Sequence, residues 1–411
     1  MAVRVDRRKF LAGATGAAAT ASLPFPAIAQ TKPVRIGLLT VKTGPLASGG
    51  IQMEQGTIRF FKDRNYTLAG RKVELIVADT GGNPAGTKTK TQELVERDNV
   101  DMIFGPLAAF ELLAITDYTA QAKMPILSLA AAEDMTQRRP NPYFVRASTT
   151  SSQNMHCLAD YAAKELKFKR IITIADDFAF GHEQMAGFQR VFEDAGGRIV
   201  KKLWPPLVTP DYTPYLAQIS GADAVVQGFA GSNPLKFMKQ YQDAGLKLPV
   251  LGGGTACDEA LMKSFGDEAV GVISCSAYTG DLDTPTNKRL IDGMVKDYGN
   301  IPGLYSAGLY INGLVAEAAL EKTGGKTDDR EALNRALRSV SLTDTPRGPF
   351  AFDHFGNVVG TFYVRRCEKK GDKLVNITIK TYPKVSQFWT YDEKWVLAQP
   401  VYSRDYPPLK T

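Results

Sequence analysis

Four cysteines in 411 residues leave no basis for a disulfide framework. Cys157, Cys257, Cys275 and Cys367 form no CxxC pair and no zinc-ligand spacing. The three histidines, His156, His182 and His354, are scattered, so no metal site is expected. Catalytic signatures are absent too. His182-Glu183-Gln184-Met185-Ala186 lacks the second histidine of a HExxH zinc helix, and no GxSxG nucleophile turn occurs. No GxxxxGKS/T phosphate loop occurs, and no GxGxxG follows the first strand, so no nucleotide cofactor is expected. Beyond the N-terminus there is no run of about 18 apolar residues, the length a membrane-spanning helix needs. Charge of one sign is scarce as well. The formal charge is +7, but residues 1–29 hold +3 of it and the remaining chain +4. No basic run is interleaved with aromatics, which excludes a nucleic-acid partner.

What is present reads as globular: 44% hydrophobic and 23% charged residues, with 37 Gly and 23 Pro. At about 150 residues per domain, the length suggests two or three domains. The first 29 residues read as an export signal. Arg7-Arg8-Lys9-Phe10-Leu11 is of twin-arginine type, an apolar small-residue stretch runs from Leu11 to Leu23, and Ala27-Ile28-Ala29 is a small-x-small cleavage pattern. Asp6 stands where Ser or Thr is usual, which leaves the ordinary secretion route open. Cleavage is expected after Ala29, giving a periplasmic protein. That compartment permits a disulfide. Cys257 and Cys275, near the ends of successive predicted strands, are the candidate pair; four free buried thiols are the alternative.

Short apolar runs alternate with amphipathic segments. Strands are predicted at 35–40, 73–78, 102–104, 126–129 and 143–146, with helices over 51–62, 87–97 and 111–121. A second block repeats the scheme: a helix over 152–164 capped by Ser151 or Ser152, a helix over 182–195, and a helix over 234–244. Its strands lie at 171–175, 198–203, 224–227, 250–251 and 272–275. Helices follow over 287–298, 304–323 and 330–340, then β character at 348–352, 360–366 and 374–382 and a packed tail. Near-continuous apolar strands separated by helices mean βαβ units and doubly wound parallel sheets covered on both faces. Two such α/β blocks make two lobes, and the ligand site belongs at strand C-terminal ends in the crevice between them.

Gly105-Pro106-Leu107-Ala108-Ala109-Phe110 and Ser128-Leu129-Ala130-Ala131-Ala132 are small-residue loops that lead into helical segments. Such loops expose backbone N–H groups at a helix N-terminus and so suit an anion without any arginine; equally, they are ordinary tight turns. Gly252-Gly253-Gly254 is either a close approach to a ligand or a tight turn. Asp176-Asp177 and Asp353-His354 near Asn357 read as loop caps and a turn.

At these residues the chain resembles the periplasmic solute-binding proteins of branched-chain amino-acid (Leu/Ile/Val) ABC importers. The carriers are Ile36-Gly37-Leu38 with Thr43-Gly44-Pro45, Phe104-Gly105-Pro106, and Pro125-Ile126-Leu127-Ser128. Further carriers are Asp177-Phe178-Ala179-Phe180-Gly181, Gln242-Asp243-Ala244-Gly245-Leu246, and Gly348-Pro349-Phe350 with Asp353 and Gly356-Asn357. The resemblance spans about 33–382. It implies the type I periplasmic binding fold, an α/β architecture of two doubly wound parallel-sheet lobes joined by three crossovers. Residues 33–148 and 280–354 would form the N-terminal lobe, and 149–279 and 355–411 the C-terminal lobe. It also implies a small-molecule ligand closed between the lobes, a membrane permease and ATPase subunits as partners, a monomer, and no enzymatic activity. The same fold in a ligand-sensing partner of a membrane receptor is the alternative class.

Matching the family's ligand contacts onto this chain gives Ser48, Ala109, Phe110, Ala130, Ala131, Ala132, Phe180, Phe229, Ala230, Gly254, Tyr278 and Tyr305 as candidate ligand-binding residues. The position that usually pairs an acid with the ligand's α-ammonium falls at Gly254, and the usual Thr hydroxyl falls at Ala132. The resemblance with these departures implies an apolar or aromatic carboxylate. The N–H groups of Ala109, Phe110 and Ala132 would hold its anion, and Phe110, Phe180, Phe229 and Tyr305 would enclose its body. A branched-chain or other amino acid, or an amide, is the alternative ligand.

Overall fold

The computed structural model describes residues 32–209 and 211–410; the export signal expected at 1–29 lies outside the described residues. The first sheet begins with β1 (Val34–Thr40), followed by α1 (Ala47–Asp63), β2 (Thr67–Leu68), β3 (Arg71–Asp79) and α2 (Pro84–Gln92). It continues with β4 (Met102–Phe104), α3 (Ala109–Gln121), β5 (Ile126–Leu127) and β6 (Phe144–Val145). The strand order is β2-β3-β1-β4-β5-β6. All pairings are parallel except the β2–β3 hairpin. β2 is a two-residue strand, too short for its period to show in sequence.

The second sheet is entered through α4 (Gln153–Lys164), then β7 (Arg170–Ala175), α5 (Ala179–Asp194), β8 (Arg198–Leu203), α6 (Thr213–Leu216) and β9 (Ala224–Gly228). After α7 (Asn233–Asp243) come β10 (Val250–Gly252) and β11 (Ile273–Ser276). β8-β7-β9-β10-β11 are all parallel. Helices α8 (Pro285–Tyr298), α9 (Leu304–Lys322) and α10 (Arg330–Arg338) follow. They pack back onto the first sheet, where Leu290, Leu309, Tyr310 and Leu333 share one core with Ile36, Phe60 and Phe104.

The chain then returns through β12 (Ser341–Leu342) and β13 (Phe350–Phe352) to the long antiparallel pair β14 (Val358–Lys370) and β15 (Lys373–Val385), and α11 (Glu393–Ala398) lies in the tail. β12 and β13 hydrogen-bond in series to β14, which flanks β11 in the second sheet, although Phe350 buries its ring in the first core.

Two local expectations change. α4 is not capped by Ser151 or Ser152: neither hydroxyl accepts from the helix start. Instead Thr150 Oγ1 accepts the Gln153 N–H at 3.1 Å and Gln153 Oε1 accepts the Thr150 N–H at 3.2 Å, the reciprocal pair of a capping box. The four thiols are buried and free. Cys257 does not meet Cys275; it lies beside Cys367, and Cys275 lies beside Cys157, because β14 inserts Cys367 next to the β10 loop.

Two buried arginines tie the crossings together. The Arg146 N–H donates to Gly356 O at 2.9 Å and its carbonyl accepts the Val358 N–H at 3.0 Å, so two of the connecting segments run side by side. Its guanidinium donates to Asn357 Oδ1 (2.8 Å), Ala130 O (3.0 Å), Ala132 O (2.7 Å) and the Thr136 hydroxyl. Arg347 donates to the carbonyls of Ala147, Ser148 and Thr361. Burial pulls both guanidinium groups down to about 10, and Glu133 and Glu183 oppose this at Arg146.

Candidate functional site

The C-terminal ends of both sheets face one cavity. From the first sheet's side, the loop after β1 contributes Leu46, the loop after β4 contributes Leu107, Ala108 and Ala109, and the loop after β5 contributes Leu129 and Ala131. α9 adds Leu304 and Tyr305. The first crossing supplies Ser148, Thr149 and Thr150. From the second sheet's side come Asn154, Phe178, Phe180, Gln184, Ala230, Gly254 and Thr255. None of these side chains is a carboxylate, an ammonium or a guanidinium.

Leu107, Ala108 and Ala109 bring the start of α3 to the edge of this space, and the opening N–H groups of a helix have no intrahelical partner. One of them is already used. Glu111, buried behind the turn, reaches back to accept the Ala108 N–H at 2.9 Å and also the hydroxyls of Thr80 and Thr87. Burial pushes the Glu111 carboxyl up, against these donors. The loop after β5 is held from behind. Ser128 Oγ donates to Pro106 O at 2.6 Å and accepts the Ala130 N–H at 2.9 Å, joining the two small-residue loops. The Ala131 carbonyl accepts from the Ser151 N–H at 2.9 Å.

Phe178 and Phe180 form the aromatic wall, backed by Phe110. Phe178 and Phe180 stack at 5.9 Å, and Phe110 meets Phe178 edge-on at 5.5 Å. Asp176 does not face the cavity. Its carboxylate accepts the Ala230 N–H at 2.7 Å and Asn233 Nδ2 at 2.9 Å, fixing the loop after β9, and burial lifts it to about 7. Asp258 does the same at α9, accepting the Leu304 N–H at 3.2 Å; burial, then Glu259, lifts it to about 7.

Six of the twelve residues expected from sequence line the cavity: Ala109, Ala131, Phe180, Ala230, Gly254 and Tyr305. The other six lie elsewhere. Ser48 is half-buried in the first turn of α1. Phe110 stands behind Phe178. Ala130 and Ala132 are in the first lobe's core, and their carbonyls are taken by Arg146. Phe229 points the other way from Ala230, as successive residues at a strand end do, and packs with Tyr212 and Phe237. Tyr278 is buried in the second crossing, where its carbonyl accepts from Arg365. Sequence reasoning missed Asn154 and Gln184. Gln184 sits one helical turn beyond Phe180, a spacing that points to it; Asn154 follows a crossing whose path no local pattern reveals.

A family model described as periplasmic binding protein matches residues 33–372. The chain belongs to that family. Among curated relatives of this periplasmic binding protein, a Leu/Ile/Val-binding protein homolog from Brucella suis is 30% identical over 363 residues, 85% of this chain and 92% of the relative. A solute-binding protein of an ABC transporter from Rhodopseudomonas palustris, solved in complex with 3,4-dihydroxybenzoic acid, is 32% identical. That alignment covers 86% of this chain and 98% of the other, with a TM-score of 0.82. Another from R. palustris, in complex with 4-hydroxybenzoate, is 28% identical, covers 87% and 99%, and has a TM-score of 0.81. The chain is thus a type I binding protein of the Leu/Ile/Val family of ABC transporters, with a small-molecule ligand and a permease as its partners. The family is exported and periplasmic, and no helix among the described residues is long and apolar enough to cross a membrane.

Proposed function

We propose that this binding protein captures an aromatic or other apolar carboxylate between its lobes and delivers it to the permease of an importer. One observation carries this reading: the cavity wall holds aromatic faces and a helix N-terminus but no carboxylate. An α-ammonium buried there would meet only neutral amide and hydroxyl oxygens and no counter-charge, and burying an unpaired charge costs far more than burying a neutral polar group. The ligands bound by the two Rhodopseudomonas relatives, both hydroxylated benzoic acids, support it. The carboxylate would sit at the first turn of α3, on the N–H groups of Ala109 and Phe110, with the body against Phe180 and Tyr305. The relationship to Leu/Ile/Val-binding homologues favours a second reading, a branched-chain amino acid or amide.

The reading includes binding without catalysis, since the cavity wall offers no His, Cys, Asp or Glu to serve as nucleophile or base. It also includes a monomer, export with cleavage after Ala29, and lobes made of 33–148 with 280–354 and 149–279 with 355–411. A thermal-shift panel tests the ligand class. A ligand at 100 times its Kd adds about 2.7 kcal/mol. Benzoate and its relatives should raise the Tm while leucine, isoleucine and valine leave it unmoved. The reverse pattern would establish the amino-acid reading.

A further inference from the structure

Two buried amides stand in a cavity wall that also includes Ser148, Thr149, Thr150, Thr255 and Tyr305. Asn154, on α4, and Gln184, on α5, both border the cavity and are 3% and 2% exposed. Asn154 Nδ2 donates to the Cys275 carbonyl at 3.0 Å, which fixes the orientation of the amide and leaves Oδ1 as an acceptor. That Oδ1 has no hydrogen-bond partner, and neither has Gln184 Oε1. The two amides converge on Gly253. A Cβ there would stand 2.6 Å from Gln184 Nε2 and 3.0 Å from Asn154 Nδ2, so only glycine leaves both in place. The middle glycine of Gly252-Gly253-Gly254 therefore makes room for side chains as well as for a turn.

Buried polar groups of native proteins are hydrogen-bonded as a rule, and unpartnered oxygens on two side chains that border a ligand cavity, with Ser148 Oγ unpartnered on the same wall, leave a donor to come from the ligand. A ring hydroxyl is such a group, since it donates to one amide oxygen and accepts from an amide N–H in the same place. An amine would also donate but would arrive without a carboxylate to pair it. We propose that Asn154 and Gln184 form a hydroxyl-recognition subsite, so that the preferred ligand is a phenolic carboxylate rather than an unsubstituted one. This rests on the reading of the cavity as a carboxylate site. Sites built to hydrogen-bond a hydroxyl reject the analogue that lacks it far more strongly than apolar pockets reject an added group.

The test is calorimetric titration of the wild-type protein with matched pairs: benzoate against 3- and 4-hydroxybenzoate, and cinnamate against 4-hydroxycinnamate. At least one hydroxylated member should bind tenfold or more tightly than its parent. Gln184→Met and Gly253→Ala should each reduce that ratio to below about threefold. A wild-type ratio under twofold in every pair would overturn the subsite and leave the carboxylate reading standing. Binding of neither parent nor hydroxylated acid would overturn both. The wild-type ratio needs no variant, so it decides the matter even where a substitution prevents folding.

Discussion

The carbonyl of Pro45 accepts the main-chain N–H of Ser232 at 3.1 Å, although 187 residues separate them. Pro45 follows β1 of the first sheet and Ser232 follows β9 of the second, so the bond joins the lobes at the cavity, whose wall includes the neighbouring Leu46 and Ala230. The Tyr305 hydroxyl meets the main chain of Gly231 in the same place.

Gly231 makes this approach possible. Its φ is +58°, and a Cβ there would lie 2.1 Å from the Pro45 oxygen. Gly231→Ala should hinder closure of the lobes. The clash with the Pro45 oxygen arises only with the lobes together, so ligand Kd should rise at least about fivefold in a titration, with far-UV circular dichroism unchanged. Unaltered Kd would mean that this contact has no part in closure.

Phe180 is the candidate aromatic wall. Phe180→Ala removes a ring that stacks on Phe178 and faces the cavity. Burial of a phenylalanine side chain contributes about 1.5–3 kcal/mol, so affinity for an aromatic acid should fall tenfold or more. Equal affinity for every ligand would remove Phe180 from the pocket.

The tail beyond β15 bonds to both lobes. Gln387 Oε1 accepts the Thr136 hydroxyl at 3.0 Å, and Arg138 donates to the carbonyls of Gln399 and Val396, both at 2.9 Å. On α5, Gln189 donates to Pro408 O at 2.8 Å and Arg190 to the Tyr406 hydroxyl at 3.0 Å. Arg138→Ala leaves two carbonyls without their charged donor. At about 1.5–3 kcal/mol for hydrogen bonds to a charged group, the Tm should drop by a few degrees in calorimetry, and unchanged Tm would show that the tail adds nothing.

Much of this was legible in sequence and some was not. The alternation of apolar runs with amphipathic helices is period-driven, and it located β1, β3, β4, β7 and β9 and the long helices. β2, α6 and β12 were missed because two to four residues carry no period and no apolar run marks them, as one marks the equally short β5 and β6. The small-residue loops after β4 and β5 and the Phe178–Phe180 motif pointed to the cavity. Phe229 and Ala230 were both named as candidates; only Ala230 lines the cavity, since successive residues at a strand end face opposite sides of the sheet. Nothing in the sequence marks Arg146 and Arg347 as buried; their full burial follows from carbonyls that converge only where the crossings meet.

Stability should rise as pH falls from 8 to 6. Burial lifts Asp176 and Asp258 from 3.8 to about 7. Above the unfolded value near 4 and up to 7, the folded chain holds protons there that the unfolded chain has lost, so stability is lost as pH rises through this window. Buried Glu133 and Glu183 are pushed up as well and act in the same direction. His156, pushed down to about 3 by burial, acts oppositely below 6.5 but is one group against several. Tm by calorimetry should be higher at pH 6 than at pH 8, and Asp258→Asn should narrow the gap. A Tm that rises from pH 6 to 8 would contradict this.

The most direct test of the ligand class is a crystal structure of the protein grown with 4-hydroxybenzoate. The account predicts ligand density in the cavity, with the carboxylate on the first turn of α3, the ring against Phe180 and Tyr305, and the hydroxyl at Asn154 and Gln184. A cavity that excludes the aromatic acid and instead holds leucine, its ammonium satisfied by groups that the cavity wall described above does not include, would contradict it.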